Sequence, residues 1–240
     1  MYGYGGYGGY GYYSSMIFLI PAILLTLYAQ SKVNSAYSKF ARVANRRGIT
    51  GAQAARMILD ANGMSDVPIQ VVSGKLSDHY DPRHRVMRLS QQVYHEPSVA
   101  SIAIAAHEAG HAIQHSVGYS PLQIRNTIVP VVNLCSNLSW PILFVGLMLG
   151  HSTMGDLVFN LAVLLFCAAV VFQLITLPVE FNASNRALEQ MEAMGIVADD
   201  NEARGAKKVL SAAALTYVAA LASAVATLIR IFAMRGRSRD

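Results

Sequence analysis

In the stretch IAIAAHEAGHAIQH, two histidines four residues apart, His107 and His111, flank a glutamate, Glu108. On a helix, positions four apart share a face one turn apart, so two imidazoles at this spacing can grip one zinc ion. Glu108 is offset by about 100° around the helix. It can reach a water on that ion without being a ligand itself. Zinc lowers the pKa of such a water, and Glu108 is then the base that takes its proton as it attacks a carbonyl. HExxH also arises by chance in helices with two incidental histidines. Here the three groups sit beside a long run of apolar and small residues, where unpaired imidazole and carboxylate are costly to bury. A metal accounts for them.

A catalytic zinc needs a third protein ligand and an open position. His115 continues the spacing of four, but it lies eight residues beyond His107, about 12 Å along the axis. One straight helix cannot wrap three such ligands around an ion, so His115 reads as a polar residue at the helix end. Asp78, Asp81 and Asp156 fall in turns. Glu180 is the stronger candidate, opening EFNASNRA at the head of an expected helix.

The elements that must position these residues follow from composition. The 240 residues are 53% hydrophobic and only 14% charged, against about a quarter charged in a soluble domain. The apolar residues gather in blocks long enough to cross a bilayer. Residues 1–15 form a Tyr/Gly tail expected to be disordered. Residues 16–30 make a first span, retained because the signal-peptide pattern is missing. Residues 31–126 form the catalytic region with the HExxH helix. Within it, GITGAQAARMILDANGM reads as an amphipathic helix closed by Asn62 and Gly63. Val67–Ser73 and Arg85–Ser90 read as strands, with turns between. Pro97 or Ser98 starts the metal helix. Residues 127–177 hold two spans joined by a short loop, 178–208 the helix of the third ligand, 209–229 a last span, and 230–240 a basic tail. Cys135 and Cys167 lie inside apolar blocks and read as small buried hydrophobes.

Topology supports Glu180 independently. Two spans separate it from His111, and two crossings return the chain to the same membrane face. An odd number would keep the two apart. The active site is then expected at the membrane surface.

HEAGHAIQ, preceded by HYDPR and RLS and followed by LPVEFNASNRAL, resembles the neutral zinc metallopeptidase family of bacterial membranes. The resemblance runs from about Ile20 to Arg230. More distantly, the motifs are similar to those of gluzincins, which pair HExxH with a downstream E-x-x-x-D. The resemblance implies His107, His111 and Glu180 as zinc ligands and Glu108 as general base. Ser184 stands where those distant relatives carry Asp. It shares Glu180's helix face and can hydrogen-bond a ligand, but it brings no charge. Asn182 points elsewhere. In gluzincins an extended strand beside the metal helix pairs with peptide, and the resemblance makes Arg85–Ser90 the candidate for that role; an ordinary structural strand is the equal alternative.

The expected fold is mainly α: a multi-span helical membrane protein with a small α+β zincin-like catalytic region at the membrane surface. The expected function is zinc-dependent endopeptidase, with Zn2+ as cofactor and the bilayer and a protein or peptide substrate as partners. The net charge of +5 clusters beside apolar blocks, which suits anionic lipid and not nucleic acid. The alternative is a non-catalytic zinc-binding membrane scaffold or partner protein, whose structural site would need four protein ligands. A transporter would need polar groups near mid-membrane, and Asn133 and Asn137 are the only hints. Lys and Arg flank the segments holding the metal motif and Glu180, while the 151–156 loop has none. That places the zinc site on the cytoplasmic face of the cell membrane. Arg230, Arg235, Arg237 and Arg239 run against this orientation.

Overall fold

The computed structural model describes residues 15–236. The expected disorder of the Tyr/Gly tail therefore lies outside the described residues except at Ser15, as does the end of the basic tail. The chain is mainly helical. After a 3-10 turn at Met16–Leu19 come α1 (Ile20–Phe40), α2 (Gly51–Ala61), β1 (Ile69–Val72), β2 (His79–Asp81) and β3 (Val86–Ser90). These are followed by α3 (Gln91–His95), α4 (Val99–Ser116), α5 (Ser120–Met148), α6 (Thr153–Ala193) and α7 (Asp200–Gly236). The elements form two compact units. One holds the described residues up to Tyr28, Arg125–Ile175 and those from Tyr217 on; the other holds Ala29–Ile124 and Thr176–Thr216.

The second unit is built around α4. Ser98 caps this helix, its side chain accepting from Ser101 N–H, which satisfies one orphan donor of the first turn. Its alanines at 100, 103, 105, 106, 109 and 112 are all fully buried. Small side chains all around let neighbours approach from every side. On one side lies α2, started by a capping box between Thr50 and Gln53 and burying Ala54, Ala55, Ile58 and Leu59. A Cβ on Gly51 would stand 2.3 Å from Val93 O and 2.8 Å from Ser101 O, so only glycine fits there.

The sheet has the order β1-β3-β2, with β1 parallel and β2 antiparallel to β3. The pairings Ile69↔Met87 and Tyr80↔Met87 fix the two registers. Both expected strands are present, each shorter than the sequence reading. β2 lies within the stretch read as turns, because three residues with polar neighbours carry no alternation to detect. Its presence changes the role of Arg85–Ser90. As β3 this segment is the central strand, paired on both sides, so it has no free edge for a peptide.

Two further differences concern long helices. Glu180 does not open a helix. It lies inside α6, which runs 41 residues through Pro178 without a break. Proline removes one backbone donor and crowds the preceding turn, but the helix continues here, so the expected span and the expected polar helix belong to one helical element. Likewise α7 merges the basic segment at 204–208 with the last apolar stretch. Its start is tied down by Glu202, a buried carboxylate that accepts from Arg46 N–H at 2.7 Å and Ala198 N–H at 2.8 Å.

In the first unit the burial pattern is inverted. Small residues such as Ala162, Ala219 and Ser139 are buried, while Leu27, Phe144, Leu164 and Phe232 are exposed. Large apolar side chains facing outward suit a lipid environment. Helices α1 (with its preceding turn), α5, α6 and α7 are each long and apolar enough to cross a bilayer. The chain is a multi-span helical membrane protein with a small α+β region. Gly146 allows α5 close to α6, since a Cβ there would meet Phe159 N at 2.8 Å. Asp156 at the start of α6 pairs with Arg235 near the end of α7, and the guanidinium lies over the Phe159 ring.

Gly51→Ala should destabilise the second unit by about 2–4 kcal/mol, because its Cβ meets two backbone oxygens that cannot rotate away. Denaturant unfolding in detergent would read the loss. Wild-type stability would mean that α2 and α4 can slide apart without cost.

Candidate metal centre

The centre forms where α4 crosses α6. Gly110 permits this crossing: a Cβ at 110 would stand 2.4 Å from Ala183 O. With the backbones this close, His107 and His111 reach Glu180 across the interface. His107 Nε2 lies 3.3 Å and His111 Nε2 3.5 Å from Glu180 Oε2. The two rings stand nearly perpendicular, 4.7 Å between centroids. The His side chains are 14% and 13% exposed and that of Glu180 only 2%.

Each ring is held by its other nitrogen. His107 Nδ1 lies 3.2 Å from Ser184 Oγ, and His111 Nδ1 lies 3.0 Å from Gln114 Oε1. The second contact fixes a tautomer. Gln114 is fully buried and spends its amide donors on Val179 O at 2.8 Å and Asn182 Oδ1 at 3.0 Å. Asn182 Oδ1 also accepts from Arg186 Nε at 2.8 Å, so it is the carbonyl end. Gln114 therefore presents its carbonyl to His111, whose Nδ1 must donate, leaving the Nε2 lone pair turned toward Glu180.

Glu108 faces the sheet instead. Its buried carboxylate accepts through Oε2 from Tyr80 N–H on β2 at 3.0 Å. Asp78 accepts from Ser90 N–H at 2.7 Å and Ser90 Oγ–H at 3.1 Å, bracing β2 against the end of β3. Burial pushes the Asp78 carboxyl above its ordinary pKa, the Ser90 hydrogen bonds oppose this, and the Glu108 charge adds to it.

The other sequence candidates lie elsewhere. His115 is outside the cluster, with Nδ1 2.9 Å from Tyr80 Oη. Asp81 joins His84 and Arg88, and Asp156 pairs with Arg235. Gln114 and Tyr80 were not singled out by the sequence reading. Gln114 could have been, since it follows His111 by three and so shares its face. The backbone donor of Tyr80 carries no sequence signal.

The three groups fit zinc on geometry. Their ligand atoms all lie within 4.8 Å of one another. A tetrahedral ion with bonds of about 2.0–2.1 Å holds its ligand atoms about 3.3–3.4 Å apart, close to the two Nε2–Oε2 distances. Two imidazoles and one carboxylate are also a donor set that zinc accepts. The local field favours a cation at Nε2, whether a proton or a metal: burial disfavours charge on His111, but the hydrogen bond that a protonated Nε2 gives Glu180 and the charges of Glu108 and Glu180 outweigh it and raise its pKa.

Gln114→Leu, similar in volume but without an acceptor, should weaken zinc binding about 10–100-fold, read by competition with a chelator. Gly110→Ala should abolish stoichiometric zinc, because the two helices must part. Wild-type affinity in both would mean that neither the relay nor the close crossing holds the ligands.

Comparison with known proteins is consistent with this chemistry. Residues 15–236 match the family described as "putative neutral zinc metallopeptidase". The chain is 49% identical over 226 residues to "Putative membrane protease YugP" of Bacillus subtilis (strain 168), covering 93% of this chain and 98% of that protein. No solved structure matches. With every described residue inside one family match, the chain belongs to this neutral zinc metallopeptidase family, whose metal is zinc.

Proposed function

We propose that this protein is a membrane metalloendopeptidase in which His107, His111 and Glu180 hold zinc and Glu108 is the general base. The observation that carries the reading is that two Nε2 atoms lie 3.3 and 3.5 Å from one buried carboxylate oxygen, the spacing of ligand atoms around a tetrahedral ion. Bound zinc supplies a Lewis acid that acidifies a water and polarises a peptide carbonyl. Everything else falls to the chain. Ser184 and Gln114 hold both rings by Nδ1, so that both Nε2 atoms aim at one point. Tyr80 N–H holds Glu108 by Oε2, leaving Oε1 to take the proton of the attacking water and pass it to the leaving amine. Among the described residues no fourth His, Cys, Asp or Glu joins the cluster. An open position favours catalysis over the scaffold reading, which needs a closed site. The substrate is a protein or peptide, and β2, not β3, offers the sheet edge next to Glu108.

Glu108→Gln should therefore keep zinc and fold while losing most hydrolysis of a membrane-inserted reporter, a drop of about 100-fold or more. Turnover at the wild-type rate would overturn the base assignment. Glu180→Ala should strip zinc, whereas His115→Ala should not. The reverse pattern would exchange their roles.

We also place the centre on the cytoplasmic face, with both termini outside. Lys32, Lys39, Arg42, Arg46 and Arg47 follow the first span, and Arg204, Lys207 and Lys208 precede the last. The 151–156 loop carries no Lys or Arg. The opposing Arg235 is offset by its pair with Asp156, and cytoplasmic charges outweigh the rest. With both native cysteines replaced, a cysteine at Ser152 should label from outside and one at Ser77 only after permeabilisation. Swapped labelling would invert the orientation.

A further inference from the structure

Away from the metal centre, the polar end of α1 and the first turns of α7 enclose a groove of about 660 Å³. Five cations line it: Lys32 and Lys39 from α1, and Arg204, Lys207 and Lys208 from α7. No carboxylate does. Of the acids around the start of α7, Asp199 pairs with Arg46 at 2.8 Å and also feels the Arg204 charge, Glu202 accepts from two backbone N–H groups, and Asp200 lies outside the lining. Among the described residues Lys39, Lys207 and Lys208 have no ion-pair partner. Five like charges around one concavity repel each other, and such an arrangement calls for an anion.

The groove is also amphipathic. Ser35 and Ser211 add hydroxyls, while Ala36, Ala212 and Leu215 give it an apolar wall. Both helices run from it into candidate membrane spans. On α1, Lys32 comes three residues after Ala29, the last apolar residue of the first span. On α7, Lys208 immediately precedes Val209, where the uncharged stretch to Ile229 begins. The cations therefore stand at headgroup level on both walls. Lys32 and Lys39 are seven residues apart, about 10 Å along the axis, which is room for more than one phosphate. A free phosphate would need no apolar wall, and a nucleic acid would not be met where two helices enter lipid. We propose that this groove is a binding site for an anionic phospholipid, with its phosphates among Lys39, Arg204, Lys207 and Lys208 and its glycerol and first acyl carbons against Ala212 and Leu215.

The close approach of the walls is built in. A Cβ on Gly205 would stand 2.9 Å from the Phe40 ring, so glycine admits the ring that joins α1 to α7 at the outer end.

The test uses the full chain reconstituted in vesicles, with spin-labelled phosphatidylglycerol and phosphatidylcholine measuring relative association. The wild type should prefer phosphatidylglycerol at least about fivefold, the worth of one basic residue at an anionic surface. Lys207→Gln with Lys208→Gln should bring the ratio close to one, while Lys75→Gln with Arg83→Gln, an equal loss of charge, should leave it intact. Ser211→Trp fills the groove without changing charge and should also abolish the preference. Soluble glycerophosphate should not compete. A wild type without preference, a preference that survives Ser211→Trp or the groove double variant, one lost equally in the control variant, or displacement by glycerophosphate would each overturn the proposal.

Discussion

The centre depends on one steric fact, the absence of a side chain at Gly110. The α4 backbone comes so near Ala183 O that even a methyl group would collide. Side chains as short as histidine and glutamate meet around a single ion only when their helices nearly touch. The Ala-rich surface of α4 extends this logic, letting α2, the sheet and α6 close in without protruding side chains. Packing of this kind has little slack, because interiors are close to crystal density and relax only partly when disturbed.

Around that contact the polar groups form a consistent set. Arg186 orients Asn182, Asn182 orients Gln114, and Gln114 orients His111. Each link settles which end of the next amide is the acceptor, so one guanidinium ultimately dictates an imidazole tautomer. His107 is held differently, by a hydroxyl. Ser184 orients without charge, so the negative charge close to the ligand atoms comes from Glu180 and Glu108 alone. A metal held by this His-His-Glu cluster would be a stronger Lewis acid than one with a further carboxylate behind its ligands, since added negative charge tempers a Lewis acid.

Much of this was legible in the sequence because it rests on periodicity and counting. The spacing of His107 and His111 needs only a helix. The apolar blocks need only a bilayer thickness, and an even number of crossings between His111 and Glu180 brings them to one side. What stayed hidden depends on tertiary context. β2 has three residues and exists because β3 and Glu108 offer partners to its backbone. Helix α6 reads as two pieces since Pro178 and a change of polarity both look like a boundary, yet the helix continues through both. Arg85–Ser90 reads equally as a peptide-pairing edge or as an ordinary structural strand, and β2 decides for the second by filling the open edge. Gln114 shows its function only when Val179 and Asn182 occupy its amide donors.

The continuity of α6 has one more consequence. Because Pro178 does not interrupt the helix, Glu180, Ala183 and Ser184 share one unbroken stretch of it: the carboxylate meets His107 and His111, Ala183 O faces Gly110, and the Ser184 hydroxyl meets His107. A helix advances about 100° per residue, so ligand, contact point and ring support stay in phase only while their separations of three and four residues are kept. Insertion or deletion of a single residue between 180 and 183 would turn the carboxylate away from the histidines while leaving hydropathy unchanged. This stretch tolerates a change of side chain far better than a change of count.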